Sequence, residues 1–243
     1  VRMETDYVTG ISRALGGSGD PSPFTALGVF EGIKASLAFA TGSESLAGKV
    51  VALQGVGAVG RHLAKMLAHA GAKLVACDID AENLKKLAAE VNGVEVVAPE
   101  KIYDVSCDVF APCALGAVVN DETVGRLKCG IVAGCANNVL ADEDKHAKAL
   151  EERGILYAPD YVINAGGLIN VANELEGYNR ERATAQVEAI HEIVKRTYAI
   201  AKTEKMSTLK AANRLAEMRI KGLKQVKSTF VGVNMQKRAR GII

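Results

Sequence analysis

Three glycines, at positions 55, 57 and 60, follow an apolar run at 50–54 and have the spacing of a phosphate-binding turn. Gly55 permits a tight turn, Gly57 lets the backbone approach a diphosphate, and Gly60 lets the next helix pack closely on the strand. The first turn of that helix offers free backbone N–H groups and the positive end of the helix dipole. The predicted diphosphate site comprises Gly55, Val56, Gly57, Ala58, Val59 and Gly60.

An acidic residue, Asp78, ends the next apolar run, 21 residues after Gly57. Its carboxylate can accept hydrogen bonds from the ribose hydroxyls of a dinucleotide and would repel a 2′-phosphate, which favours NAD over NADP. The alternative interpretation is a turn between parallel strands that uses glycine only for packing. Strand, glycine turn, helix, strand and acid stand in the order that a dinucleotide-binding unit requires, so we expect NAD to bind here.

Two later loops are placed to complete the same site. Residues 111–116 follow one predicted strand, and residues 158–167 follow the last one. Ligands of doubly wound folds bind at the carboxyl ends of the strands, so we expect both loops to line the nicotinamide half of the site. The Asn164 amide can both donate and accept a hydrogen bond. We expect Cys113 to pack rather than act as a nucleophile, and Asp160 to stabilise its loop through an Asx turn.

The apolar runs that must position these residues alternate with helical patterns. Alternation of this kind implies a parallel sheet with helices on both faces. The predicted fold class is therefore α/β, a doubly wound Rossmann-type parallel sheet with additional C-terminal helices. Strands are predicted at 50–54, 74–77, 94–97, 108–111, 130–133 and 155–158.

Helices are predicted before, within and after this sheet. The first begins at Ser22, whose side chain could cap it, with Pro23 in the first turn and an end near Thr41. Later in the chain, Asp142 caps a helix that Gly154 stops. The remaining helical patterns cover 81–91, roughly 180–205 and 208–227.

The composition narrows the possible partners. The chain has 243 residues, of which 49% are hydrophobic, and its net charge of +2 gives no strong attraction to nucleic acid or to an anionic membrane. We expect a cytoplasmic protein, because there is no signal peptide and no apolar run of membrane-spanning length. The five cysteines have no C-x-x-C spacing and no histidine pair suggests a ligand set, so reduced thiols and no metal site are expected.

On these residues the chain resembles the leucine dehydrogenase branch of the glutamate, leucine, phenylalanine and valine amino-acid dehydrogenase family. The resemblance covers nearly the whole chain. It implies NAD-dependent oxidative deamination of a branched-chain L-amino acid, leucine or valine, to its 2-oxo acid and ammonia, by a homo-oligomer. The matching residues are Tyr7-Val8-Thr9-Gly10, Gly19 to Thr25, Gly55-Val56-Gly57, Ala111 to Gly116, Asn138, Tyr157 to Asn170, and Asn179 to Arg182.

The resemblance also implies roles for individual residues. Thr25 would reach the nicotinamide carboxamide, and Asn138 and Asn164 would lie beside the nicotinamide ribose and the substrate. Asp78 would hold the adenosine ribose. The loop residues implied to line the cofactor are Ala111, Pro112 and Cys113.

By the same resemblance, family members carry a Gly-Gly-x-Lys motif in an N-terminal domain whose lysines bind the substrate carboxylate and act as the base. Here Gly16-Gly17 is followed by Ser18-Gly19, and Gly166-Gly167 is followed by Leu168-Ile169, so neither forms this motif. Deamination requires a desolvated lysine of lowered pKa, and no lysine here stands in such a motif. We therefore expect no catalytic residue in this chain, and we expect the chain alone to be inactive.

This absence predicts a domain organisation. Residues 20–205 would form the NAD-binding Rossmann domain. Residues 1–19 and 206–243 would be remnants of the substrate and oligomerisation domain, and the chain, which starts at Val1, would begin just after the lysine-bearing part.

Two positions that the resemblance places in the substrate pocket, beside Asn138 and Asn164, bear on specificity. The position of Val171 matches a serine that holds the side-chain carboxylate in glutamate dehydrogenases, and an apolar wall would leave that charge unpaired. Leu168 matches a small residue in phenylalanine dehydrogenases and a valine in leucine dehydrogenases. Its extra methylene is expected to favour a shorter branched substrate such as valine by about 1–3 kcal/mol.

Three classes of function remain open from the sequence. The first is the branched-chain amino-acid dehydrogenase. The second is another NAD enzyme with a similar nucleotide half, including a phenylalanine or other amino-acid dehydrogenase. The third is a non-catalytic NAD-binding module, for which the missing lysine motif is the only support.

Overall fold

A computed structural model of the chain describes residues 4, 5 and 8–227. Within them, six strands form one parallel sheet in the order β3-β2-β1-β4-β5-β6. The strand order reverses between β1 and β4, which pair through Val51 with Val109 and Leu53 with Ala111. The strands are β1 Val50–Gln54, β2 Lys73–Cys77, β3 Glu95–Val96, β4 Ser106–Pro112, β5 Lys128–Val132 and β6 Leu156–Tyr157.

Helices precede, separate and follow the strands. Short 3₁₀ turns cover Arg13–Leu15, Pro99–Asp104 and Asn173–Glu176. The helices are α1 Ser22–Thr41, α2 Ala58–His69, α3 Ala81–Glu90, α4 Glu143–Glu152, α5 Asp160–Ile163, α6 Gly166–Ala172, α7 Arg180–Glu188, α8 Ile190–Glu204 and α9 Thr208–Lys227.

The core lies in two layers because side chains of a strand alternate between the faces of the sheet. Leu53 and Val109 point into one layer, which α1, α2 and α8 cover. Ala52 and Phe110, their neighbours along the strands, point into the other layer, where they pack with Leu150 of α4. The sheet is thus buried on both faces. The ends of its strands are not covered by these two layers.

The predicted fold class and all six predicted strands are confirmed. Two predictions about helices are wrong in detail. Ser22 is the first helical residue and not the cap, because Pro21 already has helical dihedrals and Asp20 accepts the Ser22 N–H at 2.9 Å. That hydrogen bond lowers the pKa of Asp20. The pattern at 180–205 forms two helices, since Ala189, with a ψ of −12°, separates α7 from α8.

Other helix ends agree with their predicted signals. The Asp142 side chain accepts a hydrogen bond from the Lys145 N–H and caps α4, and Gly154 after that helix has a φ of +69°. Among the helices of the described residues, none combines the length and the hydropathy needed to cross a membrane. Residues 1–3, 6, 7 and 228–243 lie outside the described residues. They include Tyr7 of the predicted match and parts of both predicted domain remnants.

Candidate functional site

The glycine turn links β1 to α2, and its three glycines differ in their surroundings. Gly55 has a φ of +93°, and a Cβ there would lie 2.7 Å from the Ala114 Cβ. A Cβ on Gly60 would lie closer than any real contact to the Gly55 carbonyl oxygen. A Cβ on Gly57 would meet no heavy atom within 4 Å, so this position faces open space. The turn therefore leaves a free approach to the backbone at Gly57 alone.

The N-terminus of α2 is built to receive a negatively charged group. Gly57 is the N-cap, and no side chain of the described residues caps the helix. The first backbone N–H groups, at Ala58, Val59 and Gly60, therefore keep their hydrogen-bonding capacity and point out of the helix end. This arrangement fits phosphate oxygens, which the helix dipole also favours.

Asp78 sits just past the end of β2 and holds the glycine turn. One carboxylate oxygen accepts the Val56 N–H at 2.7 Å, and the other accepts the Asp80 N–H at 2.8 Å. The Val56 side chain is buried in the core. Val56 is one of the predicted phosphate-site residues, but its N–H donates to Asp78 and is therefore not free for a phosphate. A carboxylate has about four lone-pair positions, so Asp78 retains acceptor capacity for hydroxyl groups.

The loop after β4 lies directly against the turn. The Cys113 N–H donates to the Gln54 carbonyl at 2.7 Å, which continues the pairing of β1 with β4 beyond the strand end. Ala111 and Pro112 are buried and Cys113 is half-buried. These three residues form the floor at the point where the strand order reverses, the position at which open α/β sheets bind ligands.

The loops after β5 and β6 meet through asparagine side chains. The Asn164 Nδ2 donates to the Asn137 Oδ1 at 2.6 Å and lies 3.4 Å from the Cys135 carbonyl oxygen. Asn138 is exposed and has a φ of +53°, a left-handed conformation that asparagine tolerates. Asn137 was not singled out from the sequence, although two consecutive asparagines after a strand end were a usable signal.

Asp160 fixes the loop that carries Asn138. Its carboxylate is buried, and one oxygen accepts the Val139 N–H at 2.8 Å. The other oxygen accepts the N–H of its own neighbour Tyr161 at 2.7 Å. The expected structural role is therefore present, but Asp160 bonds to residues at i+1 and in a distant loop, whereas an Asx turn bonds to i+2.

Thr25 reaches the site through a close crossing of α1 and α6. A Cβ on Gly166 would overlap the Phe24 carbonyl oxygen, and a Cβ on Gly167 would overlap the Thr25 hydroxyl. Only glycine allows this approach. The crossing places the half-buried Thr25 beside the start of α6, where its hydroxyl donates to the Pro21 carbonyl at 3.2 Å.

The two residues predicted to set specificity share one face of α6. Leu168 and Val171 are three residues apart, so their side chains are neighbours on the helix. Leu168 is 71% exposed, whereas Asn170, on another face, is fully buried and accepts a hydrogen bond from the Tyr178 hydroxyl. Leu168 is therefore an apolar side chain held out from a rigid helix next to Gly167.

Glu174 organises the segment that precedes α1, and nothing in the sequence pattern indicated this. Its carboxylate accepts three backbone N–H groups, from Gly10 at 3.2 Å, Ile11 at 3.1 Å and Ser18 at 2.6 Å. Burial acts to raise the pKa of Glu174, but these hydrogen bonds together hold the pKa below its ordinary value. The carboxylate therefore ties residues 10–18 to the 3₁₀ turn that follows α6.

The predicted site residues thus lie along the carboxyl ends of the strands and on the adjoining helices. No hydrogen bond from a lysine reaches Asn164 or Asp160 among the described residues; Lys65, for example, pairs with Glu90 on a helix face. A groove of about 820 Å³ lies elsewhere, between α1, α8 and the edge strand β6, and contains none of the predicted site residues. The candidate site is the crevice expected outside the carboxyl ends of the strands, here called the cleft, where the uncapped start of α2 suits an anionic ligand.

Comparison with known proteins gives a consistent result. A family model described as Glutamate/Leucine/Phenylalanine/Valine dehydrogenase matches residues 16–227. Leucine dehydrogenases from Thermoactinomyces intermedius and Bacillus cereus are 56% and 53% identical over 231 residues. Each match covers 95% of this chain and 63% of the relative. The chain therefore spans less than two thirds of the length of these relatives.

Solved structures agree with the fold. The crystal structure of L-tryptophan dehydrogenase from Nostoc punctiforme superposes with a TM-score of 0.83 at 45% identity, over 85% of this chain and 63% of that one. A hetero-hexameric glutamate dehydrogenase from Thermus thermophilus superposes with a TM-score of 0.73 over 93% of this chain and 57% of that one. At 24% identity the second likeness shows the fold alone.

Proposed function

This chain belongs to the glutamate, leucine, phenylalanine and valine dehydrogenase family, and from that premise we propose that it is the NAD-binding part of an amino-acid dehydrogenase. The proposed reaction is the oxidative deamination of a branched-chain L-amino acid, leucine or valine, to its 2-oxo acid and ammonia. The observation that carries the proposal is the glycine turn with Asp78 on one side of the strand-order reversal and the Asn137–Asn164 pair on the other.

The residues of the cleft fit NAD. The uncapped N–H groups of Ala58, Val59 and Gly60 suit the diphosphate, and the open space at Gly57 lets it approach. Asp78 would accept the adenosine ribose hydroxyls, and its negative charge disfavours a 2′-phosphate. Thr25 and Asn138 would hold the nicotinamide end. When bound, NAD supplies the hydride acceptor of the reaction.

The substrate would lie beside the nicotinamide end, against α6. The Asn164 Nδ2 is engaged by Asn137 and the Cys135 carbonyl, so its Oδ1 remains to accept a hydrogen bond from a substrate N–H group. Leu168 and Val171 offer only apolar surface, which suits an aliphatic side chain and leaves a carboxylate unpaired. Leu168 also fills space that an aromatic ring would need, so we favour leucine and valine over glutamate and phenylalanine.

Proton transfer is proposed to depend on residues outside this chain. Several described lysines form ion pairs with carboxylates, such as those of Glu82, Glu90 and Glu192. We propose that residues 20–205 are the NAD-binding domain and that 1–19 and 206–243 belong to the substrate and oligomerisation domain. A homo-oligomer is proposed on family grounds. A cytoplasmic location is supported by the free state of all five cysteines.

The direct test is NADH formation by the purified chain with L-leucine and L-valine at mildly alkaline pH, together with NADH binding followed by the fluorescence of the nucleotide. We expect binding without turnover. Turnover would show that a lysine of this chain supplies the base, which would contradict the proposed absence of catalytic residues. A chain that does not bind NADH would contradict the proposed function itself.

A matched pair of glycine variants makes the binding test specific. Gly57→Ala should fold normally, because Gly57 has a negative φ and open space, yet its methyl group should block the diphosphate and abolish NADH binding. Gly125→Ala adds the same methyl group at another open position, away from the cleft, and should bind NADH like the unchanged chain. Equal binding by the two variants would place the dinucleotide elsewhere.

The specificity proposal has its own test. In a preparation that turns over both substrates, Leu168→Val should raise kcat/KM for leucine relative to valine, because it removes one methylene from the wall of the pocket. The expected change corresponds to about 1–3 kcal/mol. An unchanged ratio would show that Leu168 does not contact the substrate side chain.

A further inference from the structure

Four of the five cysteines form two pairs at opposite ends of β4 and β5. Cys107 and Cys129 are partners in the parallel register of these strands. The last pair of this register is Phe110 with Val132, and if it is carried on for three residues past the strand ends it brings Cys113 beside Cys135. One thiol pair is therefore at the amino ends of the two strands, and the other is at their carboxyl ends.

The regular hydrogen bonding between β4 and β5 ends before the second pair. The Ala133 N–H donates to the Phe110 carbonyl, but the Pro112 carbonyl accepts the Ala136 N–H at 3.0 Å instead of the Cys135 N–H that an unbroken ladder would supply. The thiols of Cys113 and Cys135 are hydrogen-bonded to each other. Both residues are half-buried.

This pair connects the two halves of the candidate site. The Cys113 N–H donates to Gln54, and the Cys113 Cβ lies 3.3 Å from where a Cβ on Gly60 would stand. The Cys135 carbonyl lies 3.4 Å from the Asn164 amide nitrogen. Because both residues are held by these contacts, we expect a covalent bond between their sulfurs to shift the glycine turn or the asparagine loop.

We propose that Cys113 and Cys135 are a reversible oxidation site at which formation of an intramolecular disulfide weakens dinucleotide binding. The effect on binding rests on the proposed function; the disulfide itself does not. The co-reactant is a two-electron oxidant such as hydrogen peroxide or an azo compound. Both S–H bonds break, one S–S bond forms, and the two protons and two electrons pass to the oxidant, which in the azo case becomes a hydrazine.

The position relative to the strand ladder separates this pair from the other one. Cys107 and Cys129 are locked in the ladder, where neighbouring strands stay about 4.8 Å apart and Cβ atoms of facing residues lie farther apart than the roughly 3.8 Å of a disulfide. Cys113 and Cys135 lie beyond the last pair of the β4–β5 ladder, where the regular hydrogen bonding has ended. The fifth cysteine, Cys77, is buried. Burial raises the pKa of its thiol to about 11, so we expect it to stay inert.

Ionisation does not separate the two pairs, because the same effect operates in both. The hydrogen bond from Cys135 lowers the pKa of Cys113, against the opposing effect of burial. The hydrogen bond from Cys107 lowers the pKa of Cys129 in the same way. Each pair therefore holds a thiol that can start the exchange, and geometry decides which pair closes.

The test oxidises the chain with diamide, alkylates the remaining thiols with N-ethylmaleimide, and maps the disulfide by mass spectrometry. NADH affinity is measured before oxidation, after it, and after reduction with dithiothreitol. We expect the first disulfide to join Cys113 and Cys135. The NADH affinity should fall about 5- to 150-fold, the usual range for two coupled sites, and dithiothreitol should restore it.

Two variants keep the result specific. Cys135→Ser should lose the diamide effect on its own NADH affinity, whereas the double variant Cys107→Ser/Cys129→Ser should respond like the unchanged chain. A first disulfide at Cys107–Cys129, or one between two chains, would overturn the assignment of the site. A Cys113–Cys135 disulfide with unchanged NADH affinity would overturn the coupling. A reduced chain without NADH affinity would count against the proposed function and leave the mapped disulfide as an independent result.

Discussion

At the scale of single residues, Asp78 has both a structural and a proposed binding role. Its two oxygens accept the N–H groups of Val56 and Asp80, so the carboxylate is fixed before any ligand arrives. A fixed carboxylate loses little side-chain entropy when ribose hydroxyls bind. The negative charge that shapes the turn would also repel a 2′-phosphate.

Replacement of this carboxylate should change both affinity and cofactor choice. In Asp78→Asn the side-chain NH2 group takes the place of one carboxylate oxygen and must face a backbone N–H donor. The negative charge is also lost. Hydrogen bonds to charged groups contribute about 1.5–3 kcal/mol, so NADH affinity should fall by about tenfold or more. The preference for NADH over NADPH should shrink, as measured by nucleotide fluorescence with both cofactors.

Asp80 provides the matched control, because it is two residues away and its side chain caps α3. Asparagine is as good a cap as aspartate, so Asp80→Asn should leave affinity and preference unchanged. An unaltered NADH to NADPH ratio in Asp78→Asn would show that the carboxylate does not face the adenosine ribose.

At the scale of elements, the cleft is assembled by contacts between loops and helix ends. Asp160 joins the start of α5 to the loop after β5, and Glu174 joins the 3₁₀ turn after α6 to the segment before α1. In both cases a carboxylate accepts backbone N–H groups that have no partner in a helix or a strand. Such bonds satisfy polar groups that would otherwise be costly to bury.

The Glu174 contact predicts a pH dependence of stability. Because the native pKa of Glu174 is below its unfolded value, its stabilisation is fully present above the ordinary glutamate pKa of about 4.3. It is lost as the pH falls through the lowered native pKa. At neutral pH, Glu174→Gln should therefore lower the free energy of unfolding by about 1 kcal/mol, and this difference should vanish in acid.

The measurement is denaturant unfolding of the two proteins from pH 7 down to pH 3 or below. Glu176 lies in the same 3₁₀ turn and is exposed, and its side chain has no hydrogen bond among the described residues. The free energy of unfolding of Glu176→Gln should therefore equal that of the unchanged chain at every pH. A Glu174→Gln effect that is constant with pH would show that the ionised carboxylate is not the stabilising form.

At the scale of the whole molecule, large apolar side chains remain exposed around the cleft. Leu115 in the loop after β4, Leu168 on α6 and Leu175 just after it are 79%, 71% and 76% exposed. Apolar surface of this kind marks an interaction surface on many proteins. Its position beside the cleft fits the proposal that a substrate domain covers this side.

This exposure predicts self-association of the chain. Static light scattering should show a mass above that of the monomer, rising with protein concentration, because burial of these side chains is favourable by roughly 25 cal/mol per Å². The double variant Leu115→Ser/Leu175→Ser should shift the rise to higher concentration. A clean monomer at high concentration would contradict the prediction.

The sequence by itself determined the features that depend on local residue order. The six strands, the glycine turn and the Asp142 cap follow from periodicity, from glycine and from a capping side chain, all within a few residues. The sequence predicted two helix boundaries wrongly where the local signals were ambiguous. Ser22 was predicted as the cap of α1, although Asp20 and Pro21 are also residues that commonly begin a helix. Ala189 is a good helix former, so its residue type did not indicate the boundary between α7 and α8.

Only the tertiary structure decided which distant residues meet. Asn164 bonds to Asn137, 27 residues away, and Glu174 bonds to Gly10, 164 residues away. Cys113 faces Cys135 only because β4 and β5 adopt one particular register. Strand order and register arise from the packing of the whole core, so the side chains brought together at the strand ends cannot be deduced from spacing along the chain.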